Sequence, residues 1–337
     1  MNKIWKFFKQ NLILIVPSIF VLLLLVGFMI FGLTRPGSAD VISELNIIEI
    51  QQQQQDAFFN EYEKGYYSVG SPFVVLDPYQ VAPLSALMMF ETSVAIQYEV
   101  VVKGKEENAD LSFLTPVASA HYVPIYGLYE NYPNVVEFYD YVDGDRGNLV
   151  HSQIIQTGAL PEEVVRPTEV NTTYEYFGND LMLVIPARNS YPMALDYNGD
   201  IRFVLTKNLT FAPIVLENGN LLLGSDRLIL DPYYVTGLYE VDFLGKVYKD
   251  YRIPGGYHHD VEVLPNGNFL ALTSDFKGTV EDKIVEIDSG SGEIVDVINL
   301  ETLLPELQGL AEMWTAFDWF HNNSIDYNSD TNEILVS

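Results

Sequence analysis

The feature that most constrains the fold is a repeated unit of strand and turn in the C-terminal half of the chain. Three alternating apolar segments each end in an aspartate and a glycine turn, and the aspartates, Asp196, Asp242 and Asp288, lie 46 residues apart twice in succession. A second series, Asn-Gly-Asn at residues 218–220 and 266–268, recurs after 48 residues. Because Asn-Gly pairs before apolar runs are typical of β-hairpins, a period of this size predicts a β-propeller.

The number of repeats bears on how the propeller is expected to close. Residues 171–337 hold fewer than four units, whereas a propeller closes with about four to eight blades. The last run, residues 333–337, has the pattern of a strand that is still in progress. From the sequence we therefore expect a partial propeller, truncated at its C-terminus, whose open edge would favour aggregation.

Composition excludes several classes of function. The chain of 337 residues has 18 lysines and arginines against 46 aspartates and glutamates, a net charge of −28. Binding to nucleic acid or to anionic lipid surfaces needs a basic surface, so we expect no nucleic-acid partner. The chain contains no cysteine, which excludes disulfides, thiolate catalysis and cysteine-based zinc sites.

The N-terminal part of the sequence predicts a membrane anchor and a stalk. Residues 12–33 are uncharged and long enough to cross a bilayer, and Lys3, Lys6 and Lys9 precede them. We predict an uncleaved single-pass anchor over residues 1–36, with the N-terminus in the cytoplasm and the bulk of the chain extracytoplasmic. A cleaved signal peptide is the alternative, although the apolar run is long for one. Residues 37–70, which include five consecutive glutamines, are predicted to form a helical stalk.

The rest of the chain is predicted to form two β domains. Val94, Ile96, Tyr98, Val100 and Val102 occupy every second position of one segment, and residues 135–141 form a second strand-like run. This pattern predicts a small β-sandwich over residues 71–160, followed by the partial propeller over residues 161–337. The predicted fold class is therefore all-β, apart from the membrane helix and the stalk.

Histidines are concentrated in two clusters at comparable places in successive repeats. The first is His258-His259-Asp260, and the second, residues 318–324, contains His321. Although His259 and His321 lie far apart in the sequence, successive blades of a propeller could place both at one pocket. His259 shares strand parity with the apolar Val261, so we expect His259 to face the channel and His258 to face its neighbours.

Four segments resemble the bacterial arylsulfate sulfotransferases: residues 77–87, residues 124–129 and the two histidine clusters. The resemblance extends from about residue 71 to residue 337. It implies a β-sandwich followed by a six-bladed propeller, and an enzyme that moves a sulfuryl group directly from a phenolic sulfate ester to another phenol. The family uses no 3′-phosphoadenosine donor, so no cofactor is expected. The chain also lacks a Gly-rich phosphate loop that ends in Lys-Ser or Lys-Thr.

The resemblance also implies a set of site residues. It places one site histidine in the pair His258 and His259, another at His321, and an oxygen-binding amide at Asn323. In this chemistry a neutral imidazole attacks sulfur to give a sulfohistidine, which the acceptor phenol then discharges through a loose, in-line transition state. The family's nucleophilic histidine and active-site arginine belong to segments beyond residue 337, so we expect the chain alone to be inactive. The family forms dimers, which leaves a homodimer open.

Two other classes of function remain open. In a non-catalytic, membrane-anchored interaction module the clustered histidines would be incidental. In a metal-dependent propeller lyase or hydrolase, His258, His259 and His321 could supply three nitrogens to Zn²⁺. His121 and His151 lie outside both clusters, and we expect them to be structural. Metal analysis separates a zinc enzyme from a metal-free histidine mechanism.

Overall fold

The computed structural model describes residues 46–185, 191–230, 234–276, 279–307 and 318–337. All of these except Asn46 belong to one unit, Ile47–Ser337. The predicted membrane span, residues 12–33, lies outside the described residues. Within the described ranges, no helix combines the length and the apolar character that a membrane crossing requires.

The N-terminal β region is a six-stranded antiparallel sheet. Its strands are β1 (Phe73–Leu76), β2 (Ala86–Val102), β3 (Leu111–Leu114), β4 (Ala118–Ile125), β5 (Pro133–Val142) and β6 (Asp145–Gln156). The first half of β2 pairs with β1 and β4, whereas its second half pairs with β3 and β5, and β6 pairs with β5. Met88 and Phe90 from the first half share one buried core with Val100 from the second half and Phe138 from β5. The alternation predicted at residues 94–102 lies in β2.

A helix, α1 (Ile47–Tyr62), precedes this sheet and falls within the predicted stalk. Its Gln51 side chain is buried, donates to the carbonyl of Gly245 at 2.7 Å and accepts from the N–H of Val247 at 2.7 Å. Further along the helix, Phe58 is buried with its ring centre 6.0 Å from that of Tyr79. The helix therefore docks on both β regions, through Gln51 and through Phe58, which the prediction of a stalk did not include.

The C-terminal β region is a succession of small antiparallel sheets, each built from consecutive strands. The first has β7 (Met182–Val184), β8 (Met193–Leu195) and β9 (Ile201–Val204). The second has β10 (Thr210–Val215), β11 (Leu221–Gly224), β12 (Leu228–Leu230), β13 (Tyr234–Val241) and β14 (Val247–Tyr257). The third has β15 (Val261–Val263), β16 (Phe269–Thr273), β17 (Lys283–Ile287) and β18 (Ile294–Asn299), and the last pairs β19 (Ile325–Asn328) with β20 (Glu333–Val336). Short helices lie at Tyr174–Phe177 and Leu300–Leu303, and single 3₁₀ turns lie at Glu107–Ala109 and Pro305–Leu307. The predicted all-β class is confirmed for the described residues.

The repeated turn residues have the local role that their spacing predicts. Asp196 and Asp242 follow β8 and β13, and one carboxylate oxygen of each accepts two backbone N–H groups. Asp288 follows β17 and accepts a backbone N–H in the same way. In the β10–β11 and β15–β16 hairpins, the side chains of Asn218 and Asn266 accept from the N–H two residues further on. These short side-chain-to-backbone bonds explain why aspartate and asparagine mark each turn.

A buried arginine joins the two β regions. Arg202, in β9, has no exposed surface and donates to the carbonyls of Gly127 at 2.7 Å and Ala109 at 2.9 Å. It also pairs with Asp196 at 3.2 Å and stacks 4.1 Å from the centre of the Tyr129 ring. Burial raises the pKa of Tyr129 to about 12, opposed by the Arg202 charge. Because its hydrogen-bond acceptors come from both regions, Arg202 fixes how they meet.

Candidate active site

The first histidine pair lies where β14 passes close to the end of β16. Gly255, near the end of β14, has a φ of 90°, in the left-handed region. A Cβ atom there would lie 1.4 Å from the carbonyl oxygen of Ser274, so only glycine permits this approach. Just beyond, the N–H of His258 donates to the carbonyl of Leu272 at 3.3 Å. Gly255 thus allows β14 to place the histidine pair beside the end of β16.

His258 is a buried, neutral imidazole. It has no exposed surface, and neither ring nitrogen hydrogen-bonds to a described residue. Burial lowers the pKa of His258 to about 4, opposed chiefly by the negative charge of Glu281. Its ring centre lies 5.5 Å from that of Tyr234, in an edge-to-face arrangement. Buried polar atoms without partners are uncommon, which makes this ring a candidate for contact with a ligand.

His259 is half-buried, and its ring centre lies 5.4 Å from that of His258 and 5.4 Å from that of Phe211. Burial lowers the pKa of His259 as well, again opposed by Glu281. The strand-parity prediction for this pair was wrong in its premise. Strand β15 begins at Val261, and His259 has a left-handed backbone with a φ of 58°, so strand alternation does not extend back to it.

Asp260 connects the two histidine clusters. One of its carboxylate oxygens accepts from the N–H of Val261 at 3.0 Å. The other accepts from the N–H of Ile325 at 3.0 Å, across 65 residues of sequence. Trp319, in the second cluster, donates to the carboxylate of Asp282 at 2.9 Å. These bonds hold the segment that contains His321 against the third sheet.

His321 lies between two carboxylates. Its Nδ1 atom is 2.7 Å from a carboxylate oxygen of Asp318 and 2.9 Å from a carboxylate oxygen of Glu281. The His321 side chain is 23% exposed, whereas that of Glu281 is 1% exposed, so the imidazole bridges the interior and the surface. The structure therefore brings His321 to the same carboxylate whose charge opposes the lowering of the pKa of His258 and of His259.

Glu281 is the residue of this cluster that the sequence did not reveal. Besides His321, its carboxylate accepts from the hydroxyl of Tyr234 at 2.5 Å. Its backbone N–H donates to the hydroxyl of Ser274 at 2.8 Å, and its carbonyl accepts from the N–H of Asn322 at 3.1 Å. One acid among 46 carries no mark in the sequence, because its role comes from burial and from partners far along the chain.

The predicted oxygen-binding amide lies apart from these side chains. Asn323 is exposed, and its amide donates to the backbone carbonyl of His321 at 3.0 Å. The neighbouring Asn322 is fully buried, and its side-chain amide makes no hydrogen bond with a described residue. Of the four predicted site residues, His258, His259 and His321 lie around Glu281. The side chain of Asn323 instead bonds to the backbone of its own loop.

Left-handed backbone conformations are concentrated at this cluster. His259, Glu281 and His321 have φ values of 58°, 55° and 56°, and the nearby Phe211 and Phe276 have φ values of 67° and 54°. For residues other than glycine such conformations cost about 1–2 kcal/mol each. A strained backbone conformation persists only where the surrounding structure holds it in place. Such conformations are concentrated at functional sites, so their occurrence around these ionisable side chains is typical of one.

The same side chains have the composition of a cation site. His258, His259 and Glu281 form one group, and Glu281, Asp318 and His321 form another; the potential ligand atoms of each lie within 4.8 Å of one another. Imidazole nitrogens with a carboxylate oxygen are a common set of ligands for Zn²⁺. The metal-dependent alternative therefore has a structural basis that can be tested.

The remaining histidines and a large groove lie elsewhere. His121 is buried in the N-terminal sheet with its ring stacked 4.7 Å from that of Phe90, and burial lowers its pKa. His151 lies on β6, its ring nitrogen 3.4 Å from the Gln153 amide oxygen. A groove of about 950 Å³ follows the hairpin turns near Asn218 and Asn266, and none of the predicted site histidines is among the described residues that line it.

Comparison with known proteins gives matches to both β regions. The family model described as arylsulfotransferase (ASST) matches residues 167–337, and the model described as the arylsulfotransferase Ig-like domain matches residues 73–158. Both histidine clusters fall within the first match. Together the two models cover both β regions of the described structure.

Two individual relatives have names that agree with these family models. The chain is 26% identical over 306 residues to arylsulfate sulfotransferase AssT of Escherichia coli O6:H1, covering 68% of this chain and 49% of that protein. It is 23% identical over 310 residues to the protein of the same name from Lelliottia amnigena, covering 70% and 49%. The chain thus spans about half the length of the curated relatives it matches. Among solved structures, the WD40 β-propeller domain of Doa1 aligns with 78% of this chain and 73% of that chain, at 14% identity and a TM-score of 0.30, an overlap too low to assign a fold.

Proposed function

The chain belongs to the arylsulfotransferase family, and we propose that it supplies part of a site at which a sulfuryl group passes from a phenolic sulfate ester to another phenol. The observation that carries the proposal is the meeting of His258, His259 and His321 around one buried carboxylate, although they come from widely separated segments of the sequence. Sulfuryl transfer needs donors for the equatorial oxygens and groups that move the phenol proton, and imidazoles can do both.

The state of the histidines supports this chemistry. Burial keeps His258 neutral at physiological pH, so one ring nitrogen can donate to a sulfuryl oxygen while the other can accept a proton. The ring of Tyr234 lies edge-to-face with His258, that of Phe211 lies edge-to-face with His259, and Phe276 packs against Tyr234, a lining suited to a phenol ring. We propose that transfer proceeds through a sulfohistidine and without a 3′-phosphoadenosine donor. The covalent nucleophile is not assigned to any histidine of this chain.

We propose that the C-terminal sheets are blades of a β-propeller, six-bladed in the family, and that residues 71–160 form the β-sandwich that precedes it. The support is that each sheet comes from consecutive strands and that Asp196, Asp242 and Asp288 recur at the same turn. Successive blades place equivalent loops around one axis, which would explain how the two histidine clusters meet. A small-angle scattering or crystallographic analysis would test this arrangement.

We further propose that the 337-residue chain alone binds an aryl sulfate without turning it over. The test is calorimetric titration with 4-nitrophenyl sulfate, together with an assay for released nitrophenol in the presence of phenol. We expect binding that weakens at least about tenfold in His321→Ala, a loss of about 1.4 kcal/mol, and no change in His121→Ala, which alters a histidine of the N-terminal sheet. Turnover would refute the predicted inactivity, and equal binding by both variants would favour a non-catalytic module.

We propose that residues 12–33 anchor the chain as a single span, with the bulk of the chain extracytoplasmic. The support is the length of the uncharged run and the lysines before it. Fractionation of cells with alkaline carbonate extraction tests the anchor, and protease access to intact spheroplasts tests the orientation. A homodimer, the family's assembly, is tested by light scattering of the detergent-solubilised chain.

A metal-dependent lyase or hydrolase is the second candidate, favoured by the two groups of potential ligands that share Glu281. A metal would be held by imidazole nitrogens and carboxylate oxygens and would supply Lewis-acid activation of an oxygen. Metal analysis of the purified chain distinguishes the two functions. Stoichiometric zinc that is lost in His321→Ala would support the metal enzyme and contradict the sulfotransferase.

A further inference from the structure

The environment of His321 is unusual because two carboxylates face the same ring nitrogen. Nδ1 lies 2.7 Å from an Asp318 oxygen and 2.9 Å from a Glu281 oxygen. An ionised carboxylate only accepts hydrogen bonds, so the Nδ1 atom must carry the proton that it donates to Asp318, and the Glu281 oxygen faces the same nitrogen. A neutral imidazole has one N–H group, and its lone pair then belongs to Nε2.

We propose that Asp318 and Glu281 are the positioning residues of His321, and that they hold it in the tautomer with Nδ1 protonated and Nε2 basic. Asp318 gives the shorter contact and lies three residues before the histidine, so it orients the ring locally. Glu281 approaches from the third sheet and ties the ring to the fold. The two carboxylates together fix the orientation of the ring, so Nε2 is the nitrogen that can accept a proton.

Glu281 is itself held rigidly enough for this role. Its second oxygen accepts from the Tyr234 hydroxyl at 2.5 Å, and its backbone is bonded to Ser274 and to Asn322. The carboxylate next to it in sequence, Asp282, is engaged by the indole of Trp319 and by Lys283. The Glu281 carboxylate therefore faces His321, whereas the Asp282 carboxylate bonds to Trp319 and Lys283.

The chemical step that this arrangement serves rests on the proposed sulfuryl transfer. The acceptor phenol gives its hydroxyl proton to Nε2 of His321, and its oxygen forms a bond to sulfur. The bond between sulfur and the imidazole nitrogen of the sulfohistidine breaks, and the electron pair stays on that nitrogen. The imidazolium then returns the proton to the next leaving phenolate, so no other reactant is required.

The tautomer can be measured directly on the full chain. Histidine side chains are labelled with ¹⁵N, and long-range ¹H–¹⁵N spectra distinguish Nδ1–H from Nε2–H imidazoles; single His→Gln variants assign the five rings. We expect the wild-type His321 to be the Nδ1–H form. In Asp318→Asn combined with Glu281→Gln, an amide can donate to Nδ1, and we expect loss of the Nδ1–H signature, as happens when the orienting aspartate of a serine-protease triad becomes asparagine.

The outcomes separate this inference from the proposed function. An Nε2–H form in the wild type, or an Nδ1–H form that survives in the double variant, overturns the inference without any need for a ligand. Asp330→Asn, an exposed acid in the last hairpin, serves as the charge control and should leave the spectrum unchanged. Phenol and 4-nitrophenyl sulfate are then added: a shift of the His321 Nε2 signal supports both proposals. No response by any histidine, with the Nδ1–H form present, supports the inference and contradicts the proposed function.

Discussion

Arg202→Met is the substitution whose effect the structure defines most fully. Methionine retains much of the aliphatic volume but removes the guanidinium group, and with it the bonds to Gly127 and Ala109 and the ion pair with Asp196. The side chains of Arg202 and Asp196 are 0% and 4% exposed, so water cannot replace the lost partners. The Asp196 charge would remain buried without its counter-ion.

The size of the effect follows from these contacts. Breaking a buried ion pair by removing one partner costs about 3–5 kcal/mol, which includes the charge left behind. The two carbonyls that lose a donor are part of the same site, so their cost of about 1 kcal/mol each overlaps with that figure and is not added in full. We therefore expect Arg202→Met to lower the free energy of unfolding by about 3–5 kcal/mol, a large part of the stability of an ordinary domain.

The assay is urea unfolding of the wild-type chain and its variants, followed by circular dichroism. Arg166→Met is the matched control, because Arg166 pairs with Glu130 at 2.8 Å but its side chain is 44% exposed, so its loss should cost less than about 1 kcal/mol. Adding Asp196→Asn to Arg202→Met removes the stranded charge and keeps an acceptor for the turn, so part of the stability should return. An Arg202→Met chain within about 1 kcal/mol of wild type would refute the reasoning.

Three further perturbations test other parts of the structure. Gln51→Leu removes the two Gln51 hydrogen bonds that dock α1 and should lower the free energy of unfolding by about 2–3 kcal/mol, measured by thermal or urea unfolding. Leucine at the exposed Gln52 should have little effect. Equal stability of the two variants would show that the docking bonds contribute nothing. Gly255→Ala places a Cβ atom 1.4 Å from a backbone carbonyl oxygen and should prevent normal folding, judged by near-ultraviolet circular dichroism. At Gly219 a Cβ atom would have no neighbour within 4 Å, so Gly219→Ala should cost only about 1 kcal/mol for its positive φ. The pKa of His258 is lowered by burial from 6.5 to about 4, so the unfolded chain binds this proton first as the pH drops. The His258 contribution to stability should therefore fall by about 3 kcal/mol between pH 6.5 and 4, and unfolding curves of His258→Phe should show a smaller loss, because the burial-lowered pKa values of His259 and His121 still contribute.

Local features of the sequence predicted the β elements well. The aspartates at 46-residue spacing and the two Asn-Gly hairpins have the turn contacts expected of them, because each contact involves residues only two to four positions apart. The alternating segment at residues 94–102 lies in one long strand for the same reason. The family followed from motifs that are likewise contiguous. The burial of Gln51 against the C-terminal β region was not predicted, since nothing in five successive glutamines says which of them will be buried.

The sequence by itself determined the strand and turn units, the strong acidic charge and the motifs that mark the family. Only the tertiary structure decided which side chains meet. Nothing near His321 in the sequence indicates Glu281, which belongs to a different segment of the chain, and strand parity failed at His259 because the chain there takes a left-handed turn. Periodicity and turn chemistry act between neighbours, whereas a site depends on where separate sheets pack and on which polar groups that packing removes from water.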